Sequence, residues 1–161
     1  MKALAKRISI KIESVKVDII YATITGNNEL LANAVADEFK KKGQTPEIHE
    51  FDDTDIFDLE DSDIIVLVCY TYDNGSIPDE SLDFFDDMQE IDWSGKNCAI
   101  LGSGDKFYGQ DYCKAVDTFA EQIKKTGANL AASPVKIHLA PDDSDTPMIE
   151  KCVSDLLAAA N

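Results

Sequence analysis

Two stretches near the middle of the chain limit the fold most. Residues 63–70 read DIIVLVCY and residues 98–102 read CAILG, almost without polar interruption. A strand with one face in water alternates apolar and polar side chains. A strand covered by helices on both faces is apolar throughout, and so points to the interior of a parallel sheet. Five candidate strands follow from such runs: Val15–Tyr21, Pro46–Phe51, Ile64–Tyr70, Cys98–Gly102 and Val135–Leu139.

Helical patterns lie between them. Leu31, Ala34, Val35 and Phe39 share one helical face, and KKKG closes that helix with cations and a glycine. Val116, Phe119, Ala120 and Ile123 repeat the pattern before KKTG, and PDESLDFFDDM reads as a shorter helix. Ile149, Cys152, Val153, Leu156 and Leu157 form a further stripe, with Thr146 expected as N-cap and Pro147 at the first helical position. Strand–helix alternation over a chain of 161 residues predicts one doubly wound α/β domain, residues 15–161, behind a basic N-terminal extension, residues 1–14. The extension lacks the apolar core and cleavage site of a signal peptide. No apolar run approaches the roughly 20 residues of a membrane span.

Charge narrows the partners. The net charge is −16, and fifteen of the acids fall between Phe51 and Asp92, where there is no Lys or Arg. Nucleic acid and anionic membrane need positive charge to displace counterions and are poor partners. A solvated acidic face or a docking surface for a basic protein accounts for the stretch. Cys69, Cys98, Cys113 and Cys152 are widely spaced with no C-x-x-C pair, which excludes a zinc site by spacing and fits the reducing cytoplasm. His49 and His138 lie in strand-like positions and Trp93 just before a strand; structural roles are expected for all three.

In doubly wound sheets, ligands bind beyond the carboxyl ends of the strands, so the segments after the strands are the candidates for function. After the first strand, TITGNN places Thr23, Ile24, Thr25, Gly26, Asn27 and Asn28 at the start of a helix. Helix N–H groups with hydroxyl and amide donors can hold a phosphate without a basic residue. Neither the G-x-x-x-x-G-K-[ST] nor the G-x-G-x-x-G pattern is present. After the third strand, TYDNGSIPDE forms a tight turn in which Gly75, and if needed Asn74, takes positive φ and presents Tyr72. After the fourth, GSGDKFYGQDYC carries a second aromatic, Tyr108. Two aromatics and a phosphate turn on one sheet edge describe a slot for a planar ring with a phosphorylated tail.

The segments TITGNNE, TYDNGSIPDE and GSGDKFY…YCKAVDTF resemble those of short-chain bacterial flavodoxins, and the likeness runs from Val15 to the C-terminus. The resemblance, not the spacing, implies a flavodoxin-like sheet in the order 2-1-3-4-5 with FMN at the switch point. It implies that residues 23–28 bind the FMN phosphate, and that Tyr72 and Tyr108 flank the ring. The backbones of Ser103, Gly104 and Asp105 would meet its pyrimidine end. Thr71, Asp73, Asn74, Gly75 and Cys113 complete the expected cofactor contacts. The function implied is low-potential electron transfer between redox proteins by a cytoplasmic monomer that is not itself an enzyme, with basic partners docking near the acidic face.

Four departures from the family stand out: Asn28 for threonine, Lys106 for a small polar residue, one extra residue in GQDY, and Asp73 for glycine after the flanking aromatic. In the family that last peptide turns over on reduction, and a side chain there resists positive φ. Asp73 is therefore expected to disfavour the one-electron-reduced state. Two rivals share the fold. A signalling receiver needs an acidic pair where this chain has Ala22 and Thr23, and an FMN-dependent NAD(P)H or quinone reductase needs a nucleotide pocket that the acidic stretch opposes.

Overall fold

The computed structural model describes residues 15–161; the N-terminal extension lies outside the described residues. Strand β1 (Val17–Tyr21) leads through helix α1 (Asn27–Lys41) to β2 (Glu47–Glu50). Two 3-10 turns then precede β3 (Ile64–Val68), and α2 (Leu82–Asp87) precedes β4 (Asn97–Gly104). Helix α3 (Lys114–Lys125) is followed by β5 (Asn129–Leu130), β6 (Val135–His138) and α4 (Thr146–Ala160). All strand pairs are parallel, in the order β2-β1-β3-β4-β5, with β6 also on β4.

The expected fifth strand is divided. Asn97 and Cys98 of β4 pair with β5, whereas Leu101 to Gly104 pair with β6, so the two short strands share one position in the sheet. Residues 131–134 leave the sheet between them, and Pro134, which has no N–H to donate, falls in that gap. The doubly wound five-position order is thus as expected.

Alternate residues of the central strands serve opposite cores, which is why their sequence lacks alternation. Ile19, Val66, Ala99 and Leu101 pack with Leu31, Val35 and Phe39 of α1 and Val153 and Leu156 of α4. Ile20, Leu67, Cys98 and Ile100 pack on the other side with Phe84, Trp93, Val116, Phe119 and Ile123. Trp93 is an internal anchor beside Phe84, as expected, with ring centroids 6.3 Å apart.

Several boundaries differ from expectation. Val15 and Pro46 precede their strands, Phe51 enters a 3-10 turn, and Cys69 and Tyr70 lie beyond β3. Strand β4 runs two residues past Gly102, because β6 pairs with it to Gly104. Leu139 is outside β6 at φ 58°. Thr146 is the first residue of α4, not its cap, and Pro147 is the second: a capping box between Asp142 and Asp145 starts the preceding turn, and Asp145 holds the N-cap position of α4 without a side-chain bond to it. The segment expected as one short helix opens with a 3-10 turn, Asp79–Ser81, before α2.

Strand β1 connects outward through α1 to β2, and the chain then crosses to β3 on the other side of β1. The carboxyl ends of β1, β3 and β4 therefore open on the switch point, and the three candidate loops meet there.

Candidate functional site

The first loop is a helix start with little side-chain capping. Gly26 holds φ 94° as the N-cap of α1, and no side chain caps the helix. The Leu30 N–H makes the first helical bond, to the Gly26 carbonyl at 3.0 Å. The N–H groups of the first turn have no partner within the helix, and they carry its positive end. The Thr23 Oγ1 accepts from the Gly26 N–H at 3.0 Å, which folds the turn without using the threonine proton. Thr25 and Ile24 are exposed.

Asn28 departs from expectation. It is buried, and its carboxamide faces the Ser103 backbone: Oδ1 accepts from the Ser103 N–H at 2.7 Å and Nδ2 donates to the Ser103 carbonyl at 3.4 Å. The Ser103 hydroxyl donates to the Leu139 carbonyl. Both polar atoms of the Asn28 carboxamide are thus engaged by the Ser103 peptide, whose N–H is taken up in return. Ser103 was expected in a loop, but β4 continues through it.

The second loop is closed by two bonds of 2.7 Å between the backbones of Tyr72 and Ser76. Gly75 takes φ 97°, and a Cβ there would lie 2.5 Å from the Lys114 side chain. The other left-handed residue is Asp73 at φ 48°, and not Asn74. The two cross-loop bonds fix both ends of a three-residue tip, and the reversal falls on its first and last members. Thr71 Oγ1 accepts from the Ala115 N–H at 3.0 Å, which fastens this loop to α3.

In the third loop, Asp105 Oδ1 accepts from the Phe107 N–H at 2.9 Å and starts a 3-10 turn, Lys106–Asp111, interrupted at Gly109. The Lys106 N–H donates to His138 Nδ1 at 3.2 Å, so that histidine buttresses the loop. Tyr108 is 60% exposed and Tyr72 49%. Phe107 packs edge-on against Tyr108 at 5.5 Å. The Cys113 thiol is buried against the Gly102 carbonyl at 3.5 Å, and burial raises its pKa to about 11. A Cβ at Gly104 would lie 2.9 Å from that sulfur.

The loops enclose a cleft of about 370 Å³. Ile24, Thr71, Tyr72, Asp73, Asn74, Gly104, Asp105, Tyr108 and Cys113 line it. Thr23, Thr25, Gly26 and Asn27 belong to the adjoining turn, and Gly75 lies behind the loop against Lys114. Asp111 and Tyr112 also line the cleft and were not singled out from the sequence, although GSGDKFYGQDYC contains both. Burial raises the Tyr112 phenol to about 12, so it remains neutral at physiological pH. His49, by contrast, is outside the cleft, on β2, with Nε2 3.0 Å from Asp18 Oδ1.

A family model described as flavodoxin matches residues 19–152. The chain belongs to the flavodoxin family. A probable flavodoxin of Bacillus subtilis is 37% identical, over 81% of this chain and 86% of its own. A short-chain flavodoxin associated with a bacterial microcompartment superposes with a TM-score of 0.89 at 41% identity, covering 91% of this chain and 99% of that one. The flavodoxin of Streptococcus pneumoniae TIGR4 gives 0.84 at 35% identity, over 88% and 97%.

Flavodoxins are electron-transfer proteins that bind FMN, and the residues present fit that group. The turn offers hydroxyls and helix N–H groups to a dianion. The cleft offers two exposed aromatic faces and, at Gly104, a backbone without a side chain.

Proposed function

We propose that this flavodoxin carries electrons at low potential between redox proteins on non-covalently bound FMN. The observation that carries the reading is that Tyr72 and Tyr108 share a cleft that adjoins the helix-start turn 23–28, whose donors include no base. FMN supplies the redox chemistry when bound. Thr23, Thr25, Gly26 and Asn27 would hold its phosphate, Tyr72 and Tyr108 its ring, and Gly104 and Asp105 the ring's polar edge. Asp73, Asp105 and Asp111 line the cleft of a chain of net charge −16. Carboxylates so placed would oppose the negative charge of the fully reduced ring, which would lower the second midpoint potential.

The acids of residues 51–92 would receive basic partner proteins. Their exposed members include Asp52, Asp53, Asp55 and Asp58 on the turns after β2 and Asp83 and Asp86 on α2. Residues 15–161 would act as one FMN-binding domain, monomeric and in the cytoplasm, with residues 1–14 as an extension to it. Among the described residues, no helix is long and apolar enough to cross a membrane.

The test is stepwise anaerobic reduction of the purified protein with added FMN, followed in the visible range. Tight binding of one FMN and two well-separated one-electron steps are expected. Failure to bind FMN would overturn the reading. Sustained NAD(P)H oxidation without a partner protein would favour a reductase instead.

A further inference from the structure

Asn28 is the second residue of α1 and only 3% exposed, although the turn before it is open to solvent. The strand register explains what its carboxamide meets. β3 pairs with β4 as far as Val68 opposite Leu101, and the Cys69 N–H still reaches the Leu101 carbonyl at 3.1 Å. Along a strand, the peptide groups of alternate residues point to the same side. The Ser103 N–H and carbonyl therefore point to the side that β3 has just left. The opposite side of β4 is still engaged, with the Leu139 N–H donating to the Gly104 carbonyl at 2.8 Å. A carboxamide has both a donor and an acceptor, as a peptide group does. Asn28 makes both bonds to Ser103 and stands where a further residue of β3 would.

We propose that Asn28 is a positioning residue for the ring end of the cleft and not a phosphate ligand. Its carboxamide replaces the missing β3 peptide, keeps Ser103 in strand geometry, and so sets the Gly104–Asp105 wall relative to the phosphate turn. The inference rests on the flavin reading of the cleft. It also explains the departure from threonine: a hydroxyl is a single atom and cannot meet both groups of the Ser103 peptide at once.

The experiment compares wild type, Asn28→Ala and Asn28→Thr. Affinities for FMN and for riboflavin, which has the ring but no phosphate, are measured by flavin fluorescence quenching. Amide hydrogen exchange at Ser103, Gly104 and Asp105 is measured in the flavin-free protein. A positioning role predicts that Asn28→Ala weakens both flavins by a similar factor, about tenfold. Asn28→Thr, which carries the usual family residue and so guards against a variant that fails to fold, weakens riboflavin as well. Exchange at Ser103 accelerates in both variants. Loss of FMN affinity with riboflavin unchanged would make Asn28 a phosphate ligand and overturn the proposal, as would unaltered exchange at Ser103. If the wild type binds neither flavin, the reading of the cleft fails, while exchange at Ser103 still decides the latch.

Discussion

At the tip of the loop after β3, Asp73 holds φ 48°, a conformation that costs a side chain with a Cβ roughly 1 kcal/mol. The strain expected of a side chain at this position is thus already present in the loop. Asp73→Gly should therefore stabilise the flavin-free protein by roughly 0.5 kcal/mol, the relief being partly offset by the freer unfolded chain. Urea denaturation would show it, and an unchanged midpoint would remove the strain argument. Gly102 has the opposite character. A Cβ there would lie 2.5 Å from the Cys69 carbonyl and 2.6 Å from a Val116 methyl, so the end of β3 and helix α3 both pack on its bare backbone. Gly102→Ala should cost about 1–3 kcal/mol by the same measurement. Neither effect is visible in residue types alone, since Asp-Asn-Gly permits a left-handed residue at more than one place and GSG does not say what approaches it.

Among the elements, β3 and the middle of β4 were legible because burial on both faces leaves an uninterrupted apolar run, and β1 reads the same way apart from Asp18. The two-residue β5 was not, because Asn129 and Leu130 carry no periodic signal. The Asn28–Ser103 contact spans 75 residues of sequence and depends on where β3 stops, which composition does not encode. The turn at 23–28 and the rings at 72 and 108 were legible because their chemistry is unusual for loops. The β1–β2 pair contains a buried carboxylate that the strand pattern hid. Burial pushes the Asp18 carboxyl up, but hydrogen bonds with Ser62, His49 and Lys16 together outweigh it and hold the group below the ordinary carboxylate range. The unfolded chain thus takes up this proton first as pH falls. The stabilisation is complete above about pH 4 and is lost below it, as the folded-state value is passed. Asp18→Asn should be less stable than wild type at neutral pH, with the gap narrowing in denaturation curves below about pH 4. A gap independent of pH would contradict this.

For the whole molecule, the division of charge matters more than its sum. Fifteen acids lie between Phe51 and Asp92, and the rest of the chain is nearly neutral. A basic redox protein such as cytochrome c, used as acceptor, should be reduced by the FMN-loaded chain at a rate that falls about tenfold as the screening length shrinks from about 30 Å to about 8 Å. Stopped-flow measurements at low and physiological salt would show it, and a rate indifferent to salt would rule out the acidic face as a guide. Added salt also removes the repulsion that keeps such chains apart, which exposes the rims of the sheet to each other. One rim is β2, four residues long, bearing Glu47, His49 and Glu50. The other is broken into β5 and β6 by a segment containing Pro134. A second molecule seeking to extend the sheet finds a short strand with charged side chains on one side and a broken row of N–H and carbonyl groups on the other. Light scattering at about 0.5 M salt, where the screening length is only a few ångströms, should still report single molecules. The split that shortens the fifth strand is also what prevents a sixth from being added by a neighbour.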